Sequence, residues 1–149
     1  MPILNVTMRQ QEKTNWCWAA VTEAIRNYYA PYSPDPKTQQ EIVRKIYPGL
    51  ENQKYVIEYV MNENYSNQAK GFLPFKDIMT EIDNGRPICC MSGINVLDYH
   101  YTLLIGYYRA PDRVIILDSN SDNNLVQAQA IVSSIFSKNL FMAYFTQPA

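Results

Sequence analysis

Apolar residues along this chain first recur at helical spacing and later in short runs. From Cys17 to Tyr29, Ala20, Val21, Ala24, Ile25 and Tyr28 fall at intervals of three and four with Glu23 and Arg26 outside the stripe, which predicts a helix with one buried face. Pro31 ends it, because proline disfavours helical geometry in the residue before it, and Pro34 and Pro36 prolong the break. Thr38 and Glu41 have capping-box spacing, each able to satisfy a backbone donor of the other, and predict a second helix with Ile42, Val43 and Ile46 inward and Pro48-Gly49 as its stop. Tyr55, Val56, Tyr59 and Val60 predict a shorter third helix, and Asn62 to Lys70 reads as a polar loop. A fourth helix follows Pro74 on Phe75, Ile78, Met79 and Ile82, closed by the turn residues Asp83-Asn84-Gly85.

Beyond that point the period shortens. Pro87 to Met91, Tyr101 to Tyr108, Val114 to Leu117 and Leu140 to Thr146 are apolar or β-branched runs bounded by Gly, Pro, Asn and Asp, the pattern of strands. Ile3 to Thr7 reads as an edge strand or an extended lead-in. Helices first and strands second predict an α+β fold, a helical N-terminal half packed on a C-terminal antiparallel sheet. With no internal repeat and no linker, residues 1–149 are expected to form one domain.

Composition narrows the classes. Hydrophobic residues at 47% and charged residues at 18% describe a folded globular chain. A net charge of -1 provides no basic stripe for nucleic acid and no polybasic membrane anchor, and no apolar run is long enough to cross a bilayer. The first residues lack the basic, apolar and small-residue regions of a signal peptide. Three cysteines, with Cys89 and Cys90 adjacent, do not make a disulfide framework. Free thiols are expected, in a reducing compartment: the producing cell's cytoplasm or a cell into which the protein is delivered. Without a Cys-x-x-Cys pair, a fourth ligand or a Gly-rich phosphate loop, neither a metal nor an organic cofactor is expected. Cys89 and Cys90 should alternate faces within a core strand.

Candidate chemistry centres on Gln11 to Ala20, where Cys17 stands between Trp16 and Trp18 at a predicted helix start. A thiol attacks carbonyls as thiolate, which a helix N-terminus and a neighbouring imidazolium favour. The backbone amide of Cys17 is placed to meet an oxyanion, and Gln11, six residues upstream, can add a side-chain amide without a competing charge. A cysteine taken alone is more often a small buried hydrophobe. Gln11, the helix start and the chain's one histidine, His100, favour a nucleophile here. His100 is then the only base available, and Asp118, at the end of a strand, is the candidate to orient its ring, with turn chemistry as the alternative. For His100 to face Asp118 directly the hairpin would turn near Arg109, whereas the turn signal Ala110-Pro111-Asp112 lies later. A diagonal pairing or a bulge reconciles them.

These residues resemble the papain-like cysteine peptidases in kind and in chain order: a glutamine six residues before Cys17, Cys17-Trp18-Ala19 on a helix, His100 on a later strand and Asp118 after the next. The likeness is strongest to compact bacterial papain-like proteases, effector and toxin proteases and leader-cleaving peptidase domains among them, in which a Gly-Arg-Pro strand precedes a His-Tyr strand. Here those are Gly85-Arg86-Pro87 and His100-Tyr101. The resemblance implies Cys17 as nucleophile, His100 as general base and acid, Asp118 as orienter and Gln11 with the Cys17 amide as oxyanion hole. There are departures. The papain signature places a small residue before the nucleophile and its histidine roughly 130 to 150 residues later. This chain has Trp16 there, and His100 follows after 100 - 17 = 83 positions. An aspartate replaces papain's asparagine, and no tryptophan follows it.

The expected activity is therefore hydrolysis of peptide bonds in a protein or peptide substrate through an acyl-enzyme. The alternatives are a papain-like glutamine deamidase or transglutaminase, and a non-catalytic binding module. Specificity is expected from the loops Asn62 to Lys70 and Ser92 to Tyr99, and from Trp16 narrowing the cleft. With only sixteen residues ahead of Cys17, control is expected from removal of a longer N-terminal region, from an immunity or inhibitor protein, or from delivery into another cell, not from a papain-type pro-segment.

Overall fold

The computed structural model describes residues 3–32, 37–57, 59–61, 66–95, 98–120, 125–128 and 140–148. Helices α1 (Cys17–Tyr29), α2 (Gln39–Ile46) and α3 (Phe75–Asp83) accompany strands β1 (Ser66–Lys70), β2 (Ile88–Asn95), β3 (Asp98–Tyr108), β4 (Arg113–Leu117), β5 (Leu125–Ala128) and β6 (Leu140–Thr146). The strands form one antiparallel sheet in the order β1-β6-β2-β3-β4-β5. This is an α+β fold, one antiparallel sheet with helices packed on it.

The sheet carries a helix layer on each face. Cys89, Tyr101, Leu103, Ile105, Ile115, Leu117 and Tyr144 pack with α1 and α2 in one core, while Ile88, Cys90, Leu104, Val114, Ile116, Ala143 and Phe145 pack with Ile78 and Ile82 of α3 in the other. Neighbouring strand residues alternate between the cores because successive side chains leave a strand on opposite sides. Cys89 and Cys90 divide in this way. The N-terminal helices α1 and α2 thus pack on one face of the sheet and α3 on the other, and β1 precedes α3.

Helix α1 spans the expected residues but is buried almost all round. Glu23 is 3% exposed, contrary to its place outside the apolar stripe. Arg9 donates to both its carboxylate oxygens at 3.0 Å, and Gln39 adds its backbone N–H at 3.0 Å, so the buried charge is paired and hydrogen-bonded. Helix α2 begins with the predicted capping box: the Glu41 N–H donates to the Thr38 hydroxyl, and the Thr38 N–H to the Glu41 carboxylate. Of the residues that predict the third helix, Tyr59 and Val60 are helical, together with Ile57 and Met61, while Tyr55 and Val56 lie ahead of it in irregular chain; Glu58 lies outside the described residues, as do 33–36.

Two expected loops are corrected. Ser66–Lys70 is an edge strand paired with β6, and 62–65 lie outside the described residues. Its sequence, Ser-Asn-Gln-Ala-Lys, has no apolar alternation to reveal a strand, and polar or charged residues suit an edge because they discourage pairing with another chain. Most of Ser92 to Tyr99 continues the β2–β3 hairpin, with Ser92 opposite His100 and Gly93 opposite Tyr99; 96 and 97 lie outside the described residues. Ile3 to Thr7 is an extended lead-in whose Leu4 N–H donates to the Ile105 carbonyl at 2.8 Å, with a single bridge from Ile3 to Gly106. Among the described residues, no helix is long and apolar enough to cross a membrane.

Candidate active site

Cys17 is the first residue of α1. The first backbone N–H groups of a helix find no partner within it, and Trp16 at the N-cap makes no side-chain cap. Both flanking tryptophans are core residues. Trp16 is 1% and Trp18 0% exposed; their indole N–H groups donate to the carbonyls of Glu51 and Gln53, each at 3.0 Å. Trp16 therefore does not narrow the cleft. It is one of a row of pins, with Asn15 bonded twice to Asn52 and the Lys13 ammonium to the Leu50 carbonyl, that fasten residues 13–18 to 50–53 and fix the helix start.

On the sheet, His100 Nε2 lies 2.8 Å from Asp118 Oδ1. Register explains how they meet. Leu103 pairs with Leu117 and Leu104 with Ile116, but Gly106 pairs with Ile115, so Ile105 is an extra residue in β3. Continuing the Leu103–Leu117 register sets Asp118 opposite Thr102, with His100 two positions along on the same face. That is the diagonal neighbour, within reach of two such side chains. The hairpin turns over residues 109–112, where the sequence signal lay. Both expected devices, bulge and diagonal, are present.

Asp118 Oδ1 also accepts the Asn120 N–H at 3.0 Å. Orienter and turn residue, opposed as alternatives in the sequence, are thus one oxygen in two bonds. Burial raises the Asp118 pKa, but the bonds from His100 and Asn120, with the histidine's charge, leave it net below its ordinary 3.8. The carboxylate is ionised at neutral pH, so Nε2 carries the proton between them and Nδ1 is left for another partner. Burial lowers the His100 pKa; hydrogen bonds with Asp118 and Cys17, and the charges of both, outweigh it and push it up to about 9. The other thiols have no such partner. Burial pushes Cys90 up to about 12 and raises Cys89 well above its ordinary value, so both remain protonated.

Gln11 joins the same turn from the other side. Its N–H donates to the Ser119 carbonyl and its Oε1 accepts from the Ser119 hydroxyl, both at 2.9 Å. Its side-chain N–H groups donate to the carbonyls of Lys13 at 3.1 Å and Thr14 at 2.5 Å. The expected oxyanion donor thus has its amide turned onto its own chain, and reaching an oxyanion requires exchanging one of these bonds.

Ser119 and Asn120 were not singled out in the sequence. The Asp118-Ser119-Asn120 run has the composition of an Asx-turn, which could have identified Asn120. Nothing local ties Ser119 to Gln11, 108 residues away.

The Peptidase_C39 like family model matches residues 3–145, a span that includes Gln11, Cys17, His100 and Asp118. No curated protein matches the chain.

Proposed function

The chain belongs to the Peptidase_C39 like family and is a cysteine peptidase of papain-like fold; from that premise we propose that Cys17, His100 and Asp118 hydrolyse peptide bonds through a covalent acyl-enzyme. The observation that carries the assignment is the His100 imidazole held by Asp118 at 2.8 Å, with the Cys17 thiol among the groups that raise its pKa.

In this mechanism the Cys17 thiolate attacks the scissile carbonyl carbon, forming a C–S bond while the carbonyl electron pair moves to oxygen. The oxyanion is met by the Cys17 N–H at the helix start and by Gln11, which exchanges its 3.1 Å bond to Lys13 for the substrate oxygen. Protonated His100 gives its Nδ1 proton to the leaving nitrogen as the C–N bond breaks. Neutral His100 then takes a proton from water, which attacks the thioester; the C–S bond breaks and the thiolate–imidazolium pair returns. Asp118 keeps its charge throughout and holds the ring in one orientation.

Incubation of the protein and its Cys17→Ala variant with a proteome-derived peptide library, read by mass spectrometry, tests the proposal. New peptide termini with the intact protein alone are expected. Deamidated glutamines without new termini would instead establish a deamidase, and no change in either channel would refute catalysis. The likeness to effector and toxin proteases extends the proposal to substrates in another cell, with a cleaved recipient-cell protein expected only when the active form is expressed there.

A further inference from the structure

The His100–Asp118 pair has a third member. The carboxamide nitrogen of Asn120 lies 3.3 Å from His100 Nε2, the same ring nitrogen that Asp118 Oδ1 meets at 2.8 Å. Nε2 bears a proton in both forms of the ring that the reaction visits. In the imidazolium both nitrogens are protonated, and in the neutral ring the ionised Asp118 keeps the remaining proton on Nε2. A carboxamide N–H facing that nitrogen would set donor against donor. Half a turn about the last side-chain bond exchanges the carboxamide's nitrogen and oxygen. Neither atom has another partner among the described residues, so the half-turn breaks no bond there and brings Oδ1 to the Nε2 proton.

The main chain fixes where this carboxamide sits. The Asn120 N–H donates to Asp118 Oδ1 at 3.0 Å, and its carbonyl accepts from the Gln10 carboxamide at 3.5 Å. Ser119, just before it, is tied to Gln11 by a backbone bond and a side-chain bond, both of 2.9 Å. We propose that Asn120 is a second positioning residue for His100, its carboxamide oxygen sharing the Nε2 proton with Asp118 in a three-centre hydrogen bond. This rests on the peptidase mechanism proposed above and adds what steadies the ring between its two proton transfers. Once Nδ1 has given its proton to the leaving nitrogen, the ring is neutral and the charge-assisted part of the Asp118 bond is lost. A flip of the ring would then replace each nitrogen by a carbon. A neutral acceptor depends less on the ring's charge, so the Asn120 oxygen keeps more of its hold at that stage.

The test compares wild type, Asn120→Ala and Asn120→Asp on one peptide that the wild-type protein cleaves, with kcat and KM measured separately and the imidazole resonances followed against pH. The side chain is exposed, the N–H bond to Asp118 survives in every variant, and the positive backbone φ angles of the described residues fall at Leu50, Gly85 and Ala110, so all three proteins should fold alike and share one Tm. Asn120→Ala should lower kcat about two- to fivefold with KM unchanged, the worth of one partly solvated hydrogen bond. Asn120→Asp keeps an oxygen at the same reach without the N–H donors. It should restore kcat to within about twofold of wild type and raise the imidazole midpoint by about half a pKa unit. An unchanged kcat in Asn120→Ala, a loss confined to KM, or an Asn120→Asp variant no faster than Asn120→Ala overturns the role of Asn120 while cleavage itself stands. No cleavage of any peptide by the wild-type protein overturns the peptidase mechanism and this role together.

Discussion

Replacing Asp118 by alanine removes at once the acceptor that orients His100 and the charge that favours its protonated form. The His100 pKa of about 9 against an ordinary 6.5 corresponds to about 3 kcal/mol in favour of the imidazolium, at about 1.4 kcal/mol per pKa unit. Burial acts in the opposite direction, so the gross contribution of Asp118 and Cys17 is larger still. Asp118 is the foremost of the raising influences. Its loss should cost about half of the net effect, about 1.5 kcal/mol, and bring His100 down by about one pKa unit. Asp118→Asn, which keeps an acceptor without the charge, should fall between the two.

The assay is favourable because the chain has one histidine, so a single pair of imidazole proton resonances reports on the site. Following them from pH 5 to pH 10 in wild type and variant gives the shift directly. The alkaline limb of kcat/KM should fall with it, because the proton given to the leaving amine is the one that titrates. At neutral pH, loss of the ring's orientation should lower kcat/KM by about 100-fold, within the span attributed to a positioned acid–base group. Stability follows the same linkage. The raised His100 contributes fully below 6.5, and that contribution is lost as pH rises through about 9. The lowered Asp118 contributes above 3.8 and loses its contribution as pH falls below that value. An imidazole that still titrates near 9 in Asp118→Ala, or a variant of undiminished activity, would refute the pairing.

Three further outcomes check the scaffold. Arg9→Ala strips the bidentate partner from Glu23 and leaves a carboxylate that is 3% exposed with Gln39 as its one remaining donor among the described residues; urea denaturation should show a loss of about 2–3 kcal/mol, largely recovered in the Arg9→Ala, Glu23→Gln double variant. Thr38→Ala removes one half of the α2 capping box and should lower stability by about 1 kcal/mol, seen as a fall in Tm of about 2–4 °C. Ser119→Ala frees Gln11 Oε1 while its backbone bond to residue 119 remains; kcat should fall about threefold to tenfold with Tm almost unmoved, the cost of an oxyanion donor held less well.

Much of this was legible locally. Helix α1 begins and ends where the Cys17–Tyr29 stripe and Pro31 put it, and α2 where Thr38 and Glu41 put it, because caps and breakers act within a few residues. The cores of β2, β3, β4 and β6 were legible for the same reason: apolar side chains alternate between two packed faces. What escaped depends on distant partners. Glu23 is buried because Arg9 and Gln39 come to it, Trp16 because Glu51 offers a carbonyl, and Ser66–Lys70 is a strand because β6 lies beside it. Gln11 belongs here too: its spacing from Cys17 was plain, but not that Ser119, Lys13 and Thr14 hold its amide.

The decisive feature of the site is a register, and no single residue type marks it. Beyond the bulge, Gly106 pairs with Ile115; carried on unbroken, that register would set Asp118 opposite Leu103, whose side chain lies in the α1 core, on the face away from His100. The extra residue Ile105 moves the pairing by one, and one residue is a change of face. The cores record the step. Leu104 and Tyr107 share the α3 side although three positions apart, which an unbroken strand forbids. The lead-in then secures it, since Leu4 donates to the carbonyl of the bulged residue itself. The segment just ahead of Gln11 and Cys17 thus helps to fix the offset that brings Asp118 to His100, so the two parts of the site are aligned by one stretch of chain.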